Sequence, residues 1–487
     1  MLLLILAILG IPLLLAAGAL AGKRPGAYGL LNALGYLVVL IASSRLLAET
    51  AFSGGALRLA GFFYVDLLSA FFILVAAVIA LATALYSIGY IKKDIAKDII
   101  SERKAKYYYV FFNLFCFSML FVPLVNNLGM LWVAIEITTL VSAFLVGFYN
   151  TKKSVEAAWK YIIICSVGII FALLGTILFS YAISLSGGIK SLNWTDAITL
   201  AAKLNKNIVK VAFIFILVGY GTKAGLAPMH TWLPDAHSQA VAPVSALLSG
   251  VLLKMAIYAI LRFGLLVIKA VGFAYFGNLM ILLGLISLVV SCGLILVQKD
   301  LKRLLAYSSI EHIGIIAIGL GLGTPLAILG AFLQVFNHAV TKSLMFFGAG
   351  NIVSAYDKHN IHSLRGVLKV LPFSGVMVLL GVFALTGLPP FSIFISELLI
   401  IMGAFNKQEY LIAAALLFLL AVIFGGFIYR FSEMLFGKRP KDLPVAGEPL
   451  SGKLALMFLL TLMLAIGPLF MIYYKDWLWM VKNLFQL

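Results

Sequence analysis

The stretch IVKVAFIFILVGYGTKAGLAP, residues 208–228, decides how the chain is read. It is apolar for about the 20 residues that a helix needs to cross the ~30 Å hydrocarbon core of a bilayer. It then ends on Gly225 and Pro228. A proline inside a helix removes a hydrogen bond and crowds the preceding turn. Backbone groups freed that way survive at membrane depth only where protein or a water-filled cavity satisfies them. A charge, Lys223, stands just before the break.

The same punctuation returns further along the chain. Gly225-Leu226-Ala227-Pro228 and Gly387-Leu388-Pro389-Pro390 lie 162 positions apart, and four residues after the last proline of each comes an aromatic, Trp232 and Phe394. Corresponding Gly/Pro interruptions in two halves point to a transporter built from repeated bundles, with its working site near the interruptions. The breaks fall in the seventh and twelfth spans counted below, five helices apart. Five is odd, so the repeats are expected to be inverted in the membrane.

The composition agrees with a bilayer as solvent. Of 487 residues, 63% are hydrophobic and 11% charged, against about 25% charged in soluble domains. Disordered, collagen-like and Pro-rich classes are excluded by a mean hydropathy of +1.11 and only 14 prolines. Fourteen spans are expected, roughly 2–21, 27–44, 60–90, 107–126, 128–149, 160–186, 208–228, 241–265, 274–297, 303–322, 324–353, 373–402, 410–432 and 453–474. The fold class is an all-α integral membrane protein. The N-terminal run reads as a first spanning helix rather than a cleaved signal peptide, because its charges, Lys23 and Arg24, follow it. Cys116, Cys165 and Cys292 each sit singly in apolar runs, with neither a disulfide nor a metal spacing, and read as small apolar residues.

A net charge of +18 would suggest nucleic acid in a soluble protein. Membrane topology explains it here without that partner. Of the 36 Lys and Arg, 22 fall in loops after odd-numbered spans and 9 in loops after even-numbered ones, those within a few residues of a span end being counted with its loop. Basic loops stay cytoplasmic, so both termini are expected on the outer side of the cell membrane, and Lys92 to Lys106 form a solvated cytoplasmic loop. The longest connectors, near 91–106, 187–207 and 433–452, are about twenty residues or fewer. A soluble nucleotide-binding or hydrolase domain therefore has no place, and Gly319 to Gly323 (GLGLG) lacks the strand–helix context of a phosphate loop.

Five charges lie deep in spans: Glu136, Lys223, Lys254, Lys342 and Glu397. At roughly 2.5 to 3.5 kcal/mol each, lipid exposure would cost about 12 to 17 kcal/mol together. They must face inward, toward partners or water. Gln334, His338 and Lys342 follow at i, i+4 and i+8, one helix face about 12 Å long, and Ser308 and Ser309 share the face of His312. Desolvation drives lysine and carboxyl groups toward exchanging protons near neutral pH, so Glu136, Lys223, Lys254, His312, His338, Lys342 and Glu397 are the candidate proton pathway. Asp66 and Lys160 read as interfacial. His359 and His362 read as solvated, and His230 and His237 in HTWLPDAH lack the HExxH spacing of a zinc site. No catalytic centre, cofactor site or metal site is visible.

At these residues a resemblance becomes specific. GTKAGLAPMHTWLPDAHSQAVAPVSALLSGVLLK (221–254), KDLKRLLAYSSIEHIG (299–314), NHAVTKSLMFFGAG (337–350) and GLPPFSIFISE (387–397) resemble the antiporter-like subunit family. That family is shared by respiratory complex I, Mrp-type sodium/proton antiporters and membrane-bound energy-converting hydrogenases. The resemblance implies fourteen helices with two inverted five-helix repeats, each containing a broken helix. Residues 1–106 would be the N-terminal helices, 107–270 and 271–434 the repeats, and 435–487 a loop and the last helix. It maps the family's helix-5 glutamate to Glu136, its broken-helix lysine to Lys223 and its helix-8 lysine to Lys254. Its two histidines map to His312 and His338, and its helix-12 terminal group to Glu397. In the family these form a lateral hydrophilic axis, with the glutamate–lysine pair as coupling switch. Glu397 is more like the M-type subunit of complex I, where many D-type Mrp subunits carry lysine, so the parent complex stays open. The chain also ends about thirteen residues after the last expected span, without the long lateral helix of an L-type subunit.

The implied function is proton translocation within a hydrogenase-like or complex I-like complex coupled to redox chemistry in other subunits. The alternatives are a D-type Mrp subunit exchanging sodium for protons without redox coupling, and a structural anchor. The expected partners are other membrane subunits, the lipid bilayer and protons, with sodium ions as the open alternative.

Overall fold

Side-chain caps set where many of the helices begin. Asp66, Ser101, Asn127, Thr151, Asn205, Asp300 and Thr324 each accept a hydrogen bond from a backbone N–H two or three residues on. That satisfies donors which the first helical turn leaves without partners. The structure is a computed structural model describing residues 1–22, 25–53, 56–59, 61–186, 191–440 and 443–485. Lys23 and Arg24 lie outside the described residues.

The chain is helical almost throughout. The first elements are α1 (Leu2–Ala21), α2 (Pro25–Ser53), a hairpin of β1 (Leu57–Leu59) and β2 (Phe63–Val65), α3 (Leu67–Ala96), α4 (Glu102–Phe121), α5 (Leu128–Val146), α6 (Lys152–Leu185) and the short α7 (Trp194–Leu200). Next come α8 (Lys206–Ala224), α9 (Leu233–Gln239), α10 (Ala242–Leu247), α11 (Leu253–Val271), α12 (Phe273–Val297), α13 (Leu301–Leu322) and α14 (Pro325–Tyr356). The last are α15 (Val367–Val370), α16 (Pro372–Leu385), α17 (Ser392–Asn406), α18 (Tyr410–Phe436) and α19 (Leu450–Phe485). Among the described residues, twelve helices are long and apolar enough to cross a membrane, α10 and α11 counting as one. The other two expected crossings are α14, which is long enough but more polar, and the pair α16 and α17.

Both expected breaks are present. α8 stops at Gly225 (φ +78°), and the chain runs non-helically to α9; α16 stops just before Gly387 (φ +68°), and α17 resumes at Ser392. The left-handed glycine suits each site, since a side chain there would be strained. The backbone groups freed at the first break find partners, as membrane depth demands. Ala227 N–H donates to Ser287 Oγ (2.9 Å), and Trp232 Nε1 donates to the Thr222 carbonyl (2.8 Å).

The structure corrects several sequence boundaries. The third helix begins at Leu67 rather than 60, because Gly61 (φ +70°) turns a hairpin and Asp66 caps the helix after it. α6 begins at Lys152 under a Thr151–Ser154 capping box, so Lys160 lies two turns inside a helix rather than at its end. α19 extends through the expected tail to Phe485, bending at Tyr473. A π-helical turn, Leu248–Leu252, between α10 and α11 has no sequence signal.

Small residues bring the helices close, which in a membrane substitutes for hydrophobic drive. On α12 and α13, Gly277 faces the carbonyl of Gly321 and Gly284 that of Gly314, at distances that leave no room for a Cβ on either side. The polar helices are innermost: 94% of the spanning window of α13 is buried, against 28% of that of α18. The costliest side chains are thereby kept from lipid.

Candidate functional site

The first cluster forms around the break after α8. Lys223 is fully buried; its Nζ donates to Thr139 Oγ1 (2.7 Å) and Tyr161 OH (2.6 Å). Thr139 Oγ1 in turn donates to Glu136 Oε2 (3.2 Å), and Ser166 Oγ donates to Glu136 Oε1 (3.1 Å). The two charges thus communicate through one hydroxyl rather than by direct contact. Glu136 is half-buried, not as deep as its place in an apolar run suggests. Tyr161 extends the network to Ser142 (2.7 Å), and its ring packs on Trp232 with centroids 4.8 Å apart.

The second cluster lies where α11, α13, α14 and α17 meet. Lys254 is fully buried, its Nζ against the Ser249 carbonyl and 2.5 Å from His338 Nδ1. Ser249 belongs to the π-helical turn, a distortion that recurs at functional sites. The rings of His338 and His312 lie 4.8 Å apart, and His312 Nδ1 meets Gln334 Nε2 at 2.7 Å. Ser396 Oγ donates to Gln334 Oε1. Glu397 follows Ser396 on α17 and is 9% exposed; a Cβ on Gly387 would overlap its carboxylate. Lys342 Nζ donates to the Leu305 carbonyl (2.6 Å) and to Ser308 Oγ. Ser309 Oγ pairs with Ser249 Oγ (2.8 Å).

Six of the seven sequence candidates thus join two polar clusters, while Glu397, next to Ser396 on α17, sets its carboxylate against Gly387 at the second break. No hydrogen bond joins one to the other among the described residues. Trp232, packed on Tyr161 of the first cluster, lies with its ring centroid 6.3 Å from that of the fully buried His237. Hydroxyls, imidazoles, amines and carboxylates in hydrogen-bonded sequence can hand protons on. Thr139, Tyr161, Ser142 and Ser249 were not legible as members, because a hydroxyl is common in membrane helices and cheap to bury.

Four buried charges were not picked out. Glu311 is 2% exposed on α13, and its Oε2 has no hydrogen-bond partner. Lys302 is buried, its Nζ donating to the Ala240 carbonyl (2.6 Å). Asp94 is buried and accepts from Tyr149 OH (2.8 Å). Arg262 is buried in a two-pronged pair with Asp66 (2.6 and 2.7 Å). Each lies near the end of a span or beside a more conspicuous residue, where the sequence alone assigns it to a loop or a neighbour. Of the peripheral readings, His359 and His362 are exposed as expected and the three cysteines are free and buried. Lys160 is about half exposed, 2.7 Å from Glu156 and 3.4 Å from Asp235.

Residues 125–424 match the family described as NADH:quinone oxidoreductase/Mrp antiporter, TM, and residues 52–98 match the N-terminus of NADH-ubiquinone oxidoreductase (complex I) chain 5. The Hydrogenase-4 component F homolog of Methylacidiphilum infernorum (isolate V4) is 40% identical over 383 residues, 78% of this chain and 80% of that protein. The D-type subunit of the Na(+)/H(+) antiporter of Alkalihalophilus pseudofirmus (strain ATCC BAA-2126 / JCM 17055 / OF4) is 31% identical over 323 residues, 66% of this chain and 64% of that protein. A chain of the membrane-bound sulfane sulfur reductase, an archaeal respiratory membrane complex, superposes with a TM-score of 0.86 at 24% identity, over 99% of this chain and 96% of that one. At that identity the likeness is one of fold. The first of these matched segments, 125–424, contains both helix breaks and all seven candidate residues.

Proposed function

The chain belongs to the NADH:quinone oxidoreductase/Mrp antiporter family of membrane subunits, and from that premise we propose that it carries protons across the membrane as one subunit of a larger complex. One observation carries the reading. From Lys254 through His338, His312 and Gln334 to Ser396, successive polar side chains touch inside a membrane bundle, ending on the residue that precedes Glu397. An anchor has no use for such a chain, since each member raises the cost of burial.

In this reading Glu136 and Lys223, joined by Thr139, form the coupling element of the first half, residues 107–270. Lys254, His312, His338 and Lys342 carry protons within the second, 271–434. Glu397 is the terminal group on the outer side, with Pro228, Pro389 and Pro390 holding the breaks. Both chain termini face outward. The parent machine is best supported as hydrogenase-like, by 40% identity to a hydrogenase-4 component F homolog; coupling to redox chemistry would then lie in other subunits. An Mrp-type sodium/proton exchanger is the second reading, favoured by the likeness to the D-type subunit of a Na(+)/H(+) antiporter.

The test uses the purified complex in sealed vesicles. Lys254→Ala and Lys223→Ala should each abolish proton movement in a complex that retains its full subunit set, because removing one inward-facing charge relieves a burial cost. Undiminished flux in both assembled variants would leave the anchor reading standing. Mass-spectrometric identification of the copurifying subunits separates the two machines: iron–sulfur or nickel–iron subunits mark the first, and their absence with sodium-dependent flux marks the second.

A further inference from the structure

Glu311 is a buried carboxyl without an assigned task. It is 2% exposed and forms no ion pair among the described residues, and its Oε2 has no hydrogen-bond partner. Leaving such an atom unsatisfied carries its full desolvation cost. Structural carboxylates avoid that cost by pairing, as Asp66 does with Arg262. Glutamine would fill the same space without a charge. A carboxyl kept here is explained by what glutamine lacks, an exchangeable acidic proton.

Its surroundings say where that proton can go. Lys342 Nζ donates to Leu305 and Ser308 on α13, and Glu311 follows Ser308 by three residues, one turn on along the same face. The titratable groups within electrostatic reach are Lys342 from α14, Glu397 from α17 and Cys292 from α12. His312 is its neighbour on α13. Glu311 therefore lies one turn from the anchor of the second cluster's lysine and within electrostatic reach of Glu397.

The hydrogen-bonded link from α13 toward α17 has a weak member. Between His312 and Ser396 the link is Gln334, an amide. An amide offers N–H donors and a carbonyl acceptor in fixed roles and has no acidic proton of its own. It orients its neighbours well and relays protons poorly. We propose that Glu311 is a proton-carrying residue, taking a proton from Lys342 and passing it to Glu397 around the Gln334 amide. In the first step the ammonium becomes an amine and the carboxylate an acid; in the second Glu311 returns to carboxylate as Glu397 is protonated. This rests on the proton-transport reading above.

The test measures proton flux in vesicles containing the intact complex, with Glu397→Gln as reference. Glu311→Gln is isosteric and should assemble, with flux falling to the level of Glu397→Gln. In that background Gln334→Glu, which turns the amide into a titratable group, should restore part of the flux. Glu311→Asp keeps a carboxyl but withdraws it by one methylene, so it should retain flux with a displaced pH profile, which a packing role would not produce. Wild-type flux in Glu311→Gln, while Glu397→Gln is inactive, overturns the assignment of Glu311 and leaves the transport reading intact. If Glu311→Gln fails to assemble, Glu311→Asp decides: a pH profile superimposable on wild type at unchanged flux also overturns it. Wild-type flux in Glu397→Gln and Lys254→Ala would instead remove the transport reading on which the proposal depends.

Discussion

Thr139 makes two hydrogen bonds with one hydroxyl: it accepts from Lys223 Nζ and donates to Glu136 Oε2. Valine has nearly the same shape and neither bond. Thr139→Val should therefore leave Lys223 with Tyr161 as its one hydrogen-bond partner among the described residues, uncouple it from Glu136 and slow proton flux strongly with the complex assembled. Thr139→Ser, which keeps the hydroxyl, should retain most of it. Equal fluxes in the two variants would show that the charges communicate by another route. The same residue shows what a sequence can and cannot reveal. Lys223 and Glu136 stand out because a charge inside an apolar run costs several kcal/mol to bury. Thr139, Tyr161 and Ser142 do not, because hydroxyls are common in membrane helices and cheap to bury once hydrogen-bonded. Glu311 escaped for a different reason, since it sits within a charged, serine-rich stretch that draws attention to His312.

At the scale of elements, the start of α3 is tied to α11 over nearly two hundred residues of sequence. Arg262 pairs with both oxygens of Asp66, donates to Ser69 Oγ (2.8 Å) and Tyr258 OH (2.8 Å), and lies over the Trp194 ring at 4.6 Å. Burial alone would push the Asp66 carboxyl up, but the guanidinium together with the Ser69 hydrogen bonds offsets this and holds it below the ordinary carboxylate value. Because the folded value is the depressed one, the stabilisation is fully present above the unfolded value of about 3.9 and is lost only as pH falls through the lower folded value. Thermal stability should accordingly change little from this pair between neutral pH and about pH 5. Arg262→Gln leaves a buried, unpaired carboxylate and should cost about 3 to 5 kcal/mol near neutral pH. Burial then acts on Asp66 against the Ser69 hydrogen bonds alone, so the variant should recover part of the loss as pH drops and the carboxyl is neutralised. A thermal unfolding series in detergent checks both signs; a variant whose deficit grows on acidification contradicts this account. Helix starts were legible because caps are local, and breaks because Gly and Pro act locally. This clamp, the three-residue strands of the hairpin and the π-helical turn were not, because they depend on partners distant in the chain or on backbone register alone.

For the whole molecule, the alternation of apolar spans and unequal loops carries the architecture, while its sidedness rests on charge alone. Moving one positive charge outward against a potential of 100 mV costs about 2.3 kcal/mol, so 22 Lys and Arg in or beside one set of loops against 9 in or beside the other form a strong bias. The odd-numbered connectors should therefore be cytoplasmic. The native cysteines give a quiet background, since Cys116, Cys165 and Cys292 are buried. Exposed positions on either side serve as probes. Glu102, at the start of α4, and Lys358, after α14, belong to the basic connectors, while Lys203, before α8, and Lys407, after α17, belong to the others. Cysteines placed at 203 and 407 should react with a membrane-impermeant maleimide in intact cells. Those at 102 and 358 should react only after permeabilisation. The outcome bears on mechanism as well as topology, because Glu397 follows the second break in a crossing that ends at Lys407. Labelling as expected puts Glu397 on the outer half of the bundle, where a terminal group releases protons. The reversed pattern would place it on the cytoplasmic half, and the step from Glu311 to Glu397 would then run toward the side from which protons are taken up.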